Sequence, residues 1–284
     1  MAGHPDASGS LYLSRMRVPV ETRLDAGAVG QPEGALWHAA VPVSSTEDPG
    51  QWGAHLDALV EEGALHPEER EEAGALPAGR QPTFVAGRVA LRSAWRAAHE
   101  ARHGTGRFPS AAIRRSARGA PLLPHGAIGS ISHKQTRACA VAAWPAAGLL
   151  HVGIDLERRP NAHDLARPSI ARRILTAHEH DWVGRVTGSE TEARELVHVH
   201  FALKEAVYKA IDPLVNRYVG FTEVELDLRP IATPEPRSAG TATVRAPIQG
   251  VDAAALHIEA EWRVEAEWIV AVARTMRRAT EPAT

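Results

Sequence analysis

The sequence has little cysteine, few aromatic residues and almost no net charge. Cys139 is the only cysteine among 284 residues, so no disulfide can form within the chain and no cysteine-based metal site is possible. It lies in the apolar run ACAVAAW, and we expect it to be a small buried side chain. A formal net charge of −2 gives no bulk attraction to nucleic acid or to a membrane surface.

Long apolar runs are also missing. None reaches the roughly 18 residues that would indicate a membrane-spanning helix, and the first ten residues, MAGHPDASGS, lack the basic and then apolar pattern of a secretory signal. Hydrophobic residues make up 44% of the chain and charged residues 23%, which is ordinary for a globular protein with a normal core. We therefore expect a cytoplasmic protein with neither nucleic acid nor membrane as a partner.

The hydrophobic periodicity alternates between helical and strand-like segments. It predicts helices near 82–103, 168–186 and 192–211, and strands near 130–133, 137–144, 149–157, 219–228, 241–246, 255–264 and 267–274. Each half of the chain thus contains helices and a later set of strands. No internal repeat proves a duplication, but an α+β fold with two similar lobes is consistent with this order.

Two carboxylates stand at the end of one predicted strand, in VGIDLERRP (152–160). Residues two apart on a strand point to the same face, so Asp155 and Glu157 should converge. Like charges held together repel unless a proton or a cation lies between them, and burial without a metal should raise at least one pKa. Oxygen pairs suit Mg²⁺ or Mn²⁺ rather than zinc. The alternative is a solvated strand end, which this fragment alone favours because D-x-E is common.

A second acidic site lies in HFALKEAVYKAI (200–211). An apolar stripe with helical spacing occupies one side of this segment, Glu205 and Lys209 lie on the opposite side, and Lys204 lies at the flank. Taken alone, Glu205 and Lys209 read as a solvated i, i+4 ion pair of a few tenths of a kcal/mol.

Four segments in order make a more specific pattern: FVAGRVALRSAW, RGAPLLPHGAIGSISHK, VGIDLE and FALKEAVYKA. Together, from about Arg80 to Ile211, they resemble the Sfp-type 4′-phosphopantetheinyl transferases. The resemblance implies two pseudo-symmetric α/β lobes, with coenzyme A and Mg²⁺ in the cleft between them. The N-terminal lobe is expected at 11–148, and the C-terminal lobe, with the metal and catalytic motifs, at 149–276.

The resemblance also implies roles for individual residues. The metal ligands would be Asp155, Glu157 and Glu205. The catalytic residues would be Glu205, Lys209 and His133. Coenzyme A would be contacted by Arg80, Arg88, Arg115, Ser132, His133, Asp155, Lys204, Glu205 and Lys209. Two positions depart from the family pattern: Ala202 replaces a hydroxyl residue, and Ala120 replaces a basic residue before Pro121, whose charge Arg115 or Arg118 would supply.

The expected reaction is Mg²⁺-dependent transfer of 4′-phosphopantetheine from coenzyme A to a serine of an apo acyl, peptidyl or aryl carrier protein, with release of 3′,5′-ADP. Mn²⁺ is an alternative metal, and a monomer is expected. One alternative function is the same scaffold repurposed for other chemistry on coenzyme A or acyl-coenzyme A. A non-catalytic carrier-binding or coenzyme-A-sensing module is a second alternative, which the intact carboxylates disfavour.

Two histidine pairs do not change this interpretation. His178 and His180, like His198 and His200, are two residues apart on predicted helices, so the members of each pair face away from each other. Neither pair forms a good two-ligand zinc motif.

Overall fold

The structure, a computed structural model, describes residues 36–43, 49–105, 107–145, 148–230, 239–245 and 247–278. The α-helices are α1 Pro49–Glu61, α2 Pro67–Gly74, α3 Gln81–His103, α4 Ala162–Leu165, α5 Ala171–Ile174, α6 Ala177–Val186 and α7 Glu190–Val215. The strands are β1 Trp37–Pro42, β2 Arg114–Arg115, β3 Pro121–Leu122, β4 Ile128–His133, β5 Arg137–Ala143, β6 Leu149–Arg158, β7 Leu226–Pro230, β8 Ala239–Val244, β9 Leu256–Glu265 and β10 Trp268–Arg277. This mixture confirms the expected α+β fold class.

The first sheet, of order β1-β5-β4, packs one face against the long helix α3. Pro82 lies in the first turn of α3, where its missing N–H costs no hydrogen bond. The helix ends at Gly104, whose φ of +75° favours glycine. Alternate residues of β5, Ala138, Ala140 and Ala142, are buried in this core. Their small side chains allow α3 to lie close to the sheet.

The second sheet, of order β6-β10-β9-β8-β7, packs against the other long helix, α7. Ser189 caps the start of α7 by accepting a hydrogen bond from the backbone N–H of Glu192. The helix ends at Asn216, in the left-handed conformation with φ +49°. Its apolar stripe, including Leu203 and Val207, is fully buried against this sheet.

A third core lies between the two sheets. The residues of β5 that face away from α3, Cys139 and Val141, pack there with Val152 and Ile154 of β6 and with Val270 of β10. The order of layers is therefore α3, first sheet, second sheet, α7. The expectation for Cys139 is confirmed, since its side chain is completely buried.

Both sheets have the same strand order over their first three strands. In each half the first strand pairs antiparallel with the last strand, and the last strand pairs with the one before it. The lobe boundaries 11–148 and 149–276 stay predictions, and residues 11–35 lie outside the described part of the chain. Among the described residues, no helix is long and apolar enough to cross a membrane.

Three sequence-predicted elements differ from the structure. The helix expected at 168–186 is two helices, because Thr176 caps the start of α6 with its side chain and interrupts the helical backbone. The segment expected as a strand at 219–228 contains a 3₁₀ turn, Phe221–Glu223, before β7 begins at Leu226. The helix expected at 192–211 continues to Val215, with Pro213 in its last turn.

Candidate functional site

A cleft of about 790 Å³ lies between the two halves of the molecule. Residues of α3 and β4 and the β2–β3 hairpin form one side, and residues of β6 and α7 form the other. The sequence-predicted site residues that line it are Arg88, Arg115, His133, Glu205 and Lys209. The cleft therefore brings together basic residues from the first half and a carboxylate and a lysine from the second.

Asp155 lies on β6 directly behind the lining residue Lys209. Its side chain is 6% exposed, and its Oδ1 accepts hydrogen bonds from Ser132 Oγ at 2.8 Å and from Lys209 Nζ at 2.7 Å. Its Oδ2 is buried and has no hydrogen-bond partner among the described residues. An unpartnered buried carboxylate oxygen is costly, so Oδ2 of Asp155 is a candidate ligand atom for a cation.

Gly153, two residues before Asp155, explains how α7 comes so close to β6. A Cβ atom built on Gly153 would lie 2.0 Å from the carbonyl oxygen of Ala206, so only glycine fits. This close approach allows Lys209 of α7 to donate to the carbonyl oxygen of Ile154 at 2.9 Å as well as to Asp155. The first residue of the G-I-D-x-E motif is thus a packing requirement.

Glu157 lies on the same face of β6 and is also buried. Its Oε1 pairs with Lys134 Nζ at 2.5 Å. Burial, followed by repulsion from Asp155, raises the pKa of Glu157 to about 7. This confirms the expectation that one carboxylate of the pair has a raised pKa in the absence of a metal. Lys134 was not selected from the sequence, although it directly follows the selected His133.

Glu205 faces the cleft from α7, one helical turn from Lys209. Burial, and then the charge of Asp155, raise the pKa of Glu205. The negative charge of Asp155 therefore contributes to the raised pKa of both Glu157 and Glu205. A divalent cation would relieve this repulsion.

The three carboxylates fit Mg²⁺ by their chemistry, because they offer oxygen donors and one unpartnered buried oxygen. Among the described residues, no group of three or more His, Cys, Asp or Glu side chains is placed to hold one metal ion. Ligation of a single ion by Asp155, Glu157 and Glu205 therefore stays a prediction.

His133, at the end of β4, lines the cleft together with Lys209 of α7. Desolvation by the surrounding protein lowers the pKa of His133, and the neighbouring charges of Lys209 and Lys134 lower it further. Ser132, the residue before it, points instead to Asp155. The expected contact of Ser132 with coenzyme A stays a prediction, and its observed role is to hold Asp155.

Arg88 and Arg115 form the basic end of the cleft. The Arg88 guanidinium lies 4.8 Å from the centre of the Phe84 ring, and that of Arg115 lies 5.8 Å from the same ring. Both arginines approach Glu72, with Arg115 Nε at 2.5 Å and Arg88 at 3.9 Å. Neither Phe84 nor Glu72 was selected from the sequence as a site residue, because each reads there as part of a helix.

Arg80 is exposed and is not among the residues that line the cleft. It lies immediately before α3, one turn away from Phe84. Its expected contact with coenzyme A stays a prediction.

The position of Lys204 corrects the sequence interpretation. Its ammonium is completely buried on the side of α7 that faces away from the cleft. It donates to Glu179 Oε2 at 2.6 Å and to the carbonyl oxygens of Ile174 at 2.7 Å and Phe221 at 3.0 Å. With all three donors used inside the protein, Lys204 is not free to hold a phosphate of coenzyme A.

Arg118 connects the β2–β3 hairpin to α7 across the mouth of the cleft. It donates to Asp212 Oδ1 at 2.8 Å and to the Tyr208 hydroxyl at 3.0 Å. The hairpin is thereby held over the cleft by a contact between the two halves. The expectation that Arg115 or Arg118 supplies the charge that Ala120 lacks stays a prediction, since Glu72 pairs with Arg115 and Asp212 pairs with Arg118.

Comparison with known proteins gives the same family in both halves. Residues 151–273 match the 4′-phosphopantetheinyl transferase superfamily, and residues 68–143 match the 4′-phosphopantetheinyl transferase N-terminal domain. The chain is 30% identical over 190 residues to 4′-phosphopantetheinyl transferase Svp of Streptomyces mobaraensis, which covers 66% of this chain and 67% of that protein. It is 31% identical over 124 residues to 4′-phosphopantetheinyl transferase Npt of Nocardia iowensis, covering 42% of this chain and about half, 49%, of that protein.

Proposed function

Because the chain belongs to the 4′-phosphopantetheinyl transferase superfamily, we propose that it transfers 4′-phosphopantetheine from coenzyme A to a serine of an apo carrier protein. The carrier would be an acyl, peptidyl or aryl carrier protein, and the protein would act as a monomer. One observation carries the proposal: a single cleft has arginines at one end and Glu205, Lys209 and the buried Asp155 on its opposite side. The arginines suit the phosphate of a nucleotide at one end of a ligand. Lys209 and the carboxylates suit a reacting pyrophosphate further along the same ligand.

Coenzyme A would bind along the cleft with its 3′-phosphate at Arg88 and Arg115. Guanidinium groups form bidentate hydrogen bonds with phosphate, and the Phe84 ring beneath them keeps them in place. His133 and Lys209 would contact the pyrophosphate. Apolar lining residues, including Ile131 and Val152, would contact the pantetheine arm.

Asp155, Glu157 and Glu205 would hold Mg²⁺, or Mn²⁺ as the alternative. When bound, the ion would draw negative charge off the pyrophosphate and orient it for attack. Lys209 and Ser132 already hold Asp155 in place from two sides. They would keep this carboxylate oriented during the reaction.

In the transfer step, the carrier serine oxygen forms a bond to the β-phosphorus of coenzyme A. The bond from that phosphorus to the bridging oxygen breaks, and its electron pair leaves with 3′,5′-ADP. Glu205, or a metal-bound water or another carboxylate near it, would accept the serine proton. Lys209 and His133 would stabilise the charge on the leaving group.

The test combines purified protein, apo carrier protein, coenzyme A and Mg²⁺ with intact-mass detection. We expect the carrier to gain about 340 Da, the mass of one phosphopantetheine group on serine. The gain should require Mg²⁺ and should disappear in Glu205→Gln. Glu223→Gln is the matched control, because Glu223 pairs with Arg217 outside the cleft.

A carrier that gains no mass, tested over acyl, peptidyl and aryl types with a protein that binds coenzyme A, would contradict the proposal. Consumption of coenzyme A or acyl-coenzyme A without a carrier adduct would instead support the repurposed scaffold. A gain that survives in Glu205→Gln would retain the transfer and remove Glu205 as its base.

A further inference from the structure

Arg88 is a buried cation whose hydrogen bonding is incomplete. Its side chain is 3% exposed, and its Nε and one terminal nitrogen are buried without a hydrogen-bond partner among the described residues. The residue lines the cleft. Buried guanidinium donors without partners are costly, so this end of the cleft is built to receive an anion.

Glu72 of α2 approaches both arginines from a neighbouring pocket, which it lines together with Arg115. Its Oε1 pairs with Arg115 Nε at 2.5 Å, whereas its Oε2 remains 3.9 Å from Arg88, too far for a hydrogen bond. Its side chain is 30% exposed and therefore accessible from the solvent side. Glu72 thus neutralises the two arginines in part without satisfying the donors of Arg88.

We propose that Glu72 is a specificity-determining residue that weakens the hold of the cleft on the 3′-phosphate of the nucleotide by competing for Arg88 and Arg115. The inference rests on the proposed function, in which coenzyme A is the cosubstrate. A 3′-phosphate has to displace Glu72 from Arg115 or share that arginine with it. The same penalty applies to the product 3′,5′-ADP, which carries the same phosphate, so Glu72 would favour product release.

The charges at this end of the cleft support the inference. Two guanidinium groups and one carboxylate leave a net charge of about +1, and removing the carboxylate would leave about +2 for a phosphate that is close to dianionic. A ligand without the 3′-phosphate does not compete with Glu72, because it places no anion between the arginines. The effect of Glu72 should therefore depend on the 3′-phosphate alone.

Two nucleotides that differ only in this phosphate, 3′,5′-ADP and 5′-AMP, test the inference by titration calorimetry on the full chain. We expect Glu72→Gln to bind 3′,5′-ADP about tenfold more tightly than the unmodified protein does, with the affinity for 5′-AMP unchanged. Thermal unfolding checks that the variant is folded.

Glu68→Gln is the matched control. Glu68 lies on the same helix, lines the same neighbouring pocket as Glu72 and pairs with Arg114 of the same hairpin at 2.9 Å, whereas Glu72 approaches Arg88 and Arg115. This variant removes the same charge nearby and should leave both affinities unchanged. Equal tightening in both glutamine variants would show a general charge effect and would overturn the inference.

Two other results would also overturn it. Weaker binding of 3′,5′-ADP by Glu72→Gln would mean that Glu72 positions the arginines, and unchanged binding or no binding of either nucleotide would mean that it does not compete at all. A failure of the proposed function can be distinguished from a failure of this inference. If the unmodified protein leaves every carrier unmodified and Glu72→Gln still discriminates the two nucleotides, the phosphate site stands and the transfer does not.

Discussion

The two halves of the molecule share a frame but carry different residues at matching positions. The strand pair β1–β5 can be superposed on β6–β10 so that Pro42 aligns with Arg158. Asp155 then matches Ala39, and Glu157 matches Val41. Ala39 and Val41 are buried in the core beneath α3. The same strand positions therefore build an ordinary apolar core in one half and the carboxylate site in the other.

Each half also contains the same buried ion pair between a short helix and a long one. Glu69 of α2 pairs with Arg92 of α3 at 2.7 Å, and Glu179 of α6 pairs with Lys204 of α7 at 2.6 Å. Each glutamate also closes a capping box at the start of its own helix and accepts a hydrogen bond from the backbone of a later segment. These backbone donors are Ile113 and Leu226. The pair is thus a structural device that both halves use.

The two halves can also be aligned on these ion pairs, Arg92 with Lys204 and Glu69 with Glu179. This alignment shows which half carries each residue of the cleft. Glu205 matches Ser93 and Lys209 matches Ala97, so the first half has neither charge at these positions. In the other direction, Arg88 matches His200 and Glu72 matches Trp182. In the second half that contact is between two rings, 5.9 Å apart. One half thus contributes the arginines of the cleft, Arg88 and Arg115, and the other contributes the carboxylates.

The largest effect should come from breaking the shared ion pair. Lys204→Met leaves the buried charge of Glu179 without its partner, and we expect a loss of about 3–5 kcal/mol in the free energy of unfolding. Arg92→Met should cost a similar amount, because Glu69 loses its partner in the same way. Urea denaturation of both variants measures the two losses.

If one variant lost less than about 1 kcal/mol in the free energy of unfolding and the other lost several times more, the two ion pairs would not be equivalent. Below its unfolding temperature, Lys204→Met should also keep the KM for coenzyme A of the unmodified protein. A raised KM would restore Lys204 as a phosphate-binding residue.

A smaller effect should distinguish the close helix packing of the second half. Gly153→Ala places a Cβ against the backbone oxygen of Ala206, and we expect a loss of about 1–3 kcal/mol from the forced separation of β6 and α7. Transfer activity should fall as well, since Lys209 would move away from Asp155. Denaturation and steady-state rates measure both effects.

Gly184→Ala is the control, because Gly184 has open space around it and lies in α6. It should stabilise the protein by up to about 1 kcal/mol, as alanine does in a helix. The residue of the first half that matches Gly153 is Trp37, so glycine occupies this strand position only in the second half. A neutral Gly153→Ala would mean that α7 can move away from β6 without a loss of stability.

The smallest expected effect is the pH dependence of stability that comes from His38 in the first half. His38, which matches Ile154, is fully buried, and burial followed by the charges of Arg263 and Arg137 lowers its pKa to about 3. Below its ordinary pKa of 6.5, the unfolded chain binds a proton at His38 and the folded protein does not. Stability from this residue is therefore present above pH 6.5 and falls as the pH decreases toward 3, by at most about 1.4 kcal/mol per unit.

Between pH 7.5 and pH 5, the unmodified protein should therefore lose about 2 kcal/mol that His38→Gln does not lose. Urea denaturation at both pH values gives the four free energies needed. If the two proteins lost the same free energy of unfolding between these pH values, His38 would be protonated in the folded state or exposed.

Much of this architecture could be predicted from the sequence because the signals are local. The stripe of α7, the strand ending in Asp155 and Glu157, and the apolar run around Cys139 follow from periodicity and were confirmed as elements. Family membership followed from four short motifs in order. The raised pKa of Glu157 followed from two carboxylates on one buried face.

The remaining features depend on contacts between distant segments. The family resemblance places Lys204, the residue before Glu205, with the phosphates, but its partner Glu179 lies 25 residues earlier on another helix. Glu72 meets Arg115 only because α2 and the β2–β3 hairpin come together in three dimensions. The break before α6 had a local signal that was overlooked: Thr176 and Glu179 have the spacing of a capping box.

The strand order has a consequence for the growing chain on the ribosome. The first sheet is closed by β5, so a nascent chain that has reached residue 143 contains all three of its strands. The second sheet cannot form around its inner strand until β10 is synthesised, up to residue 277. During that interval, the apolar face of the first sheet that includes Cys139 and Val141 lacks most of its covering. We expect translation of the second half to be the period in which this protein most needs chaperones.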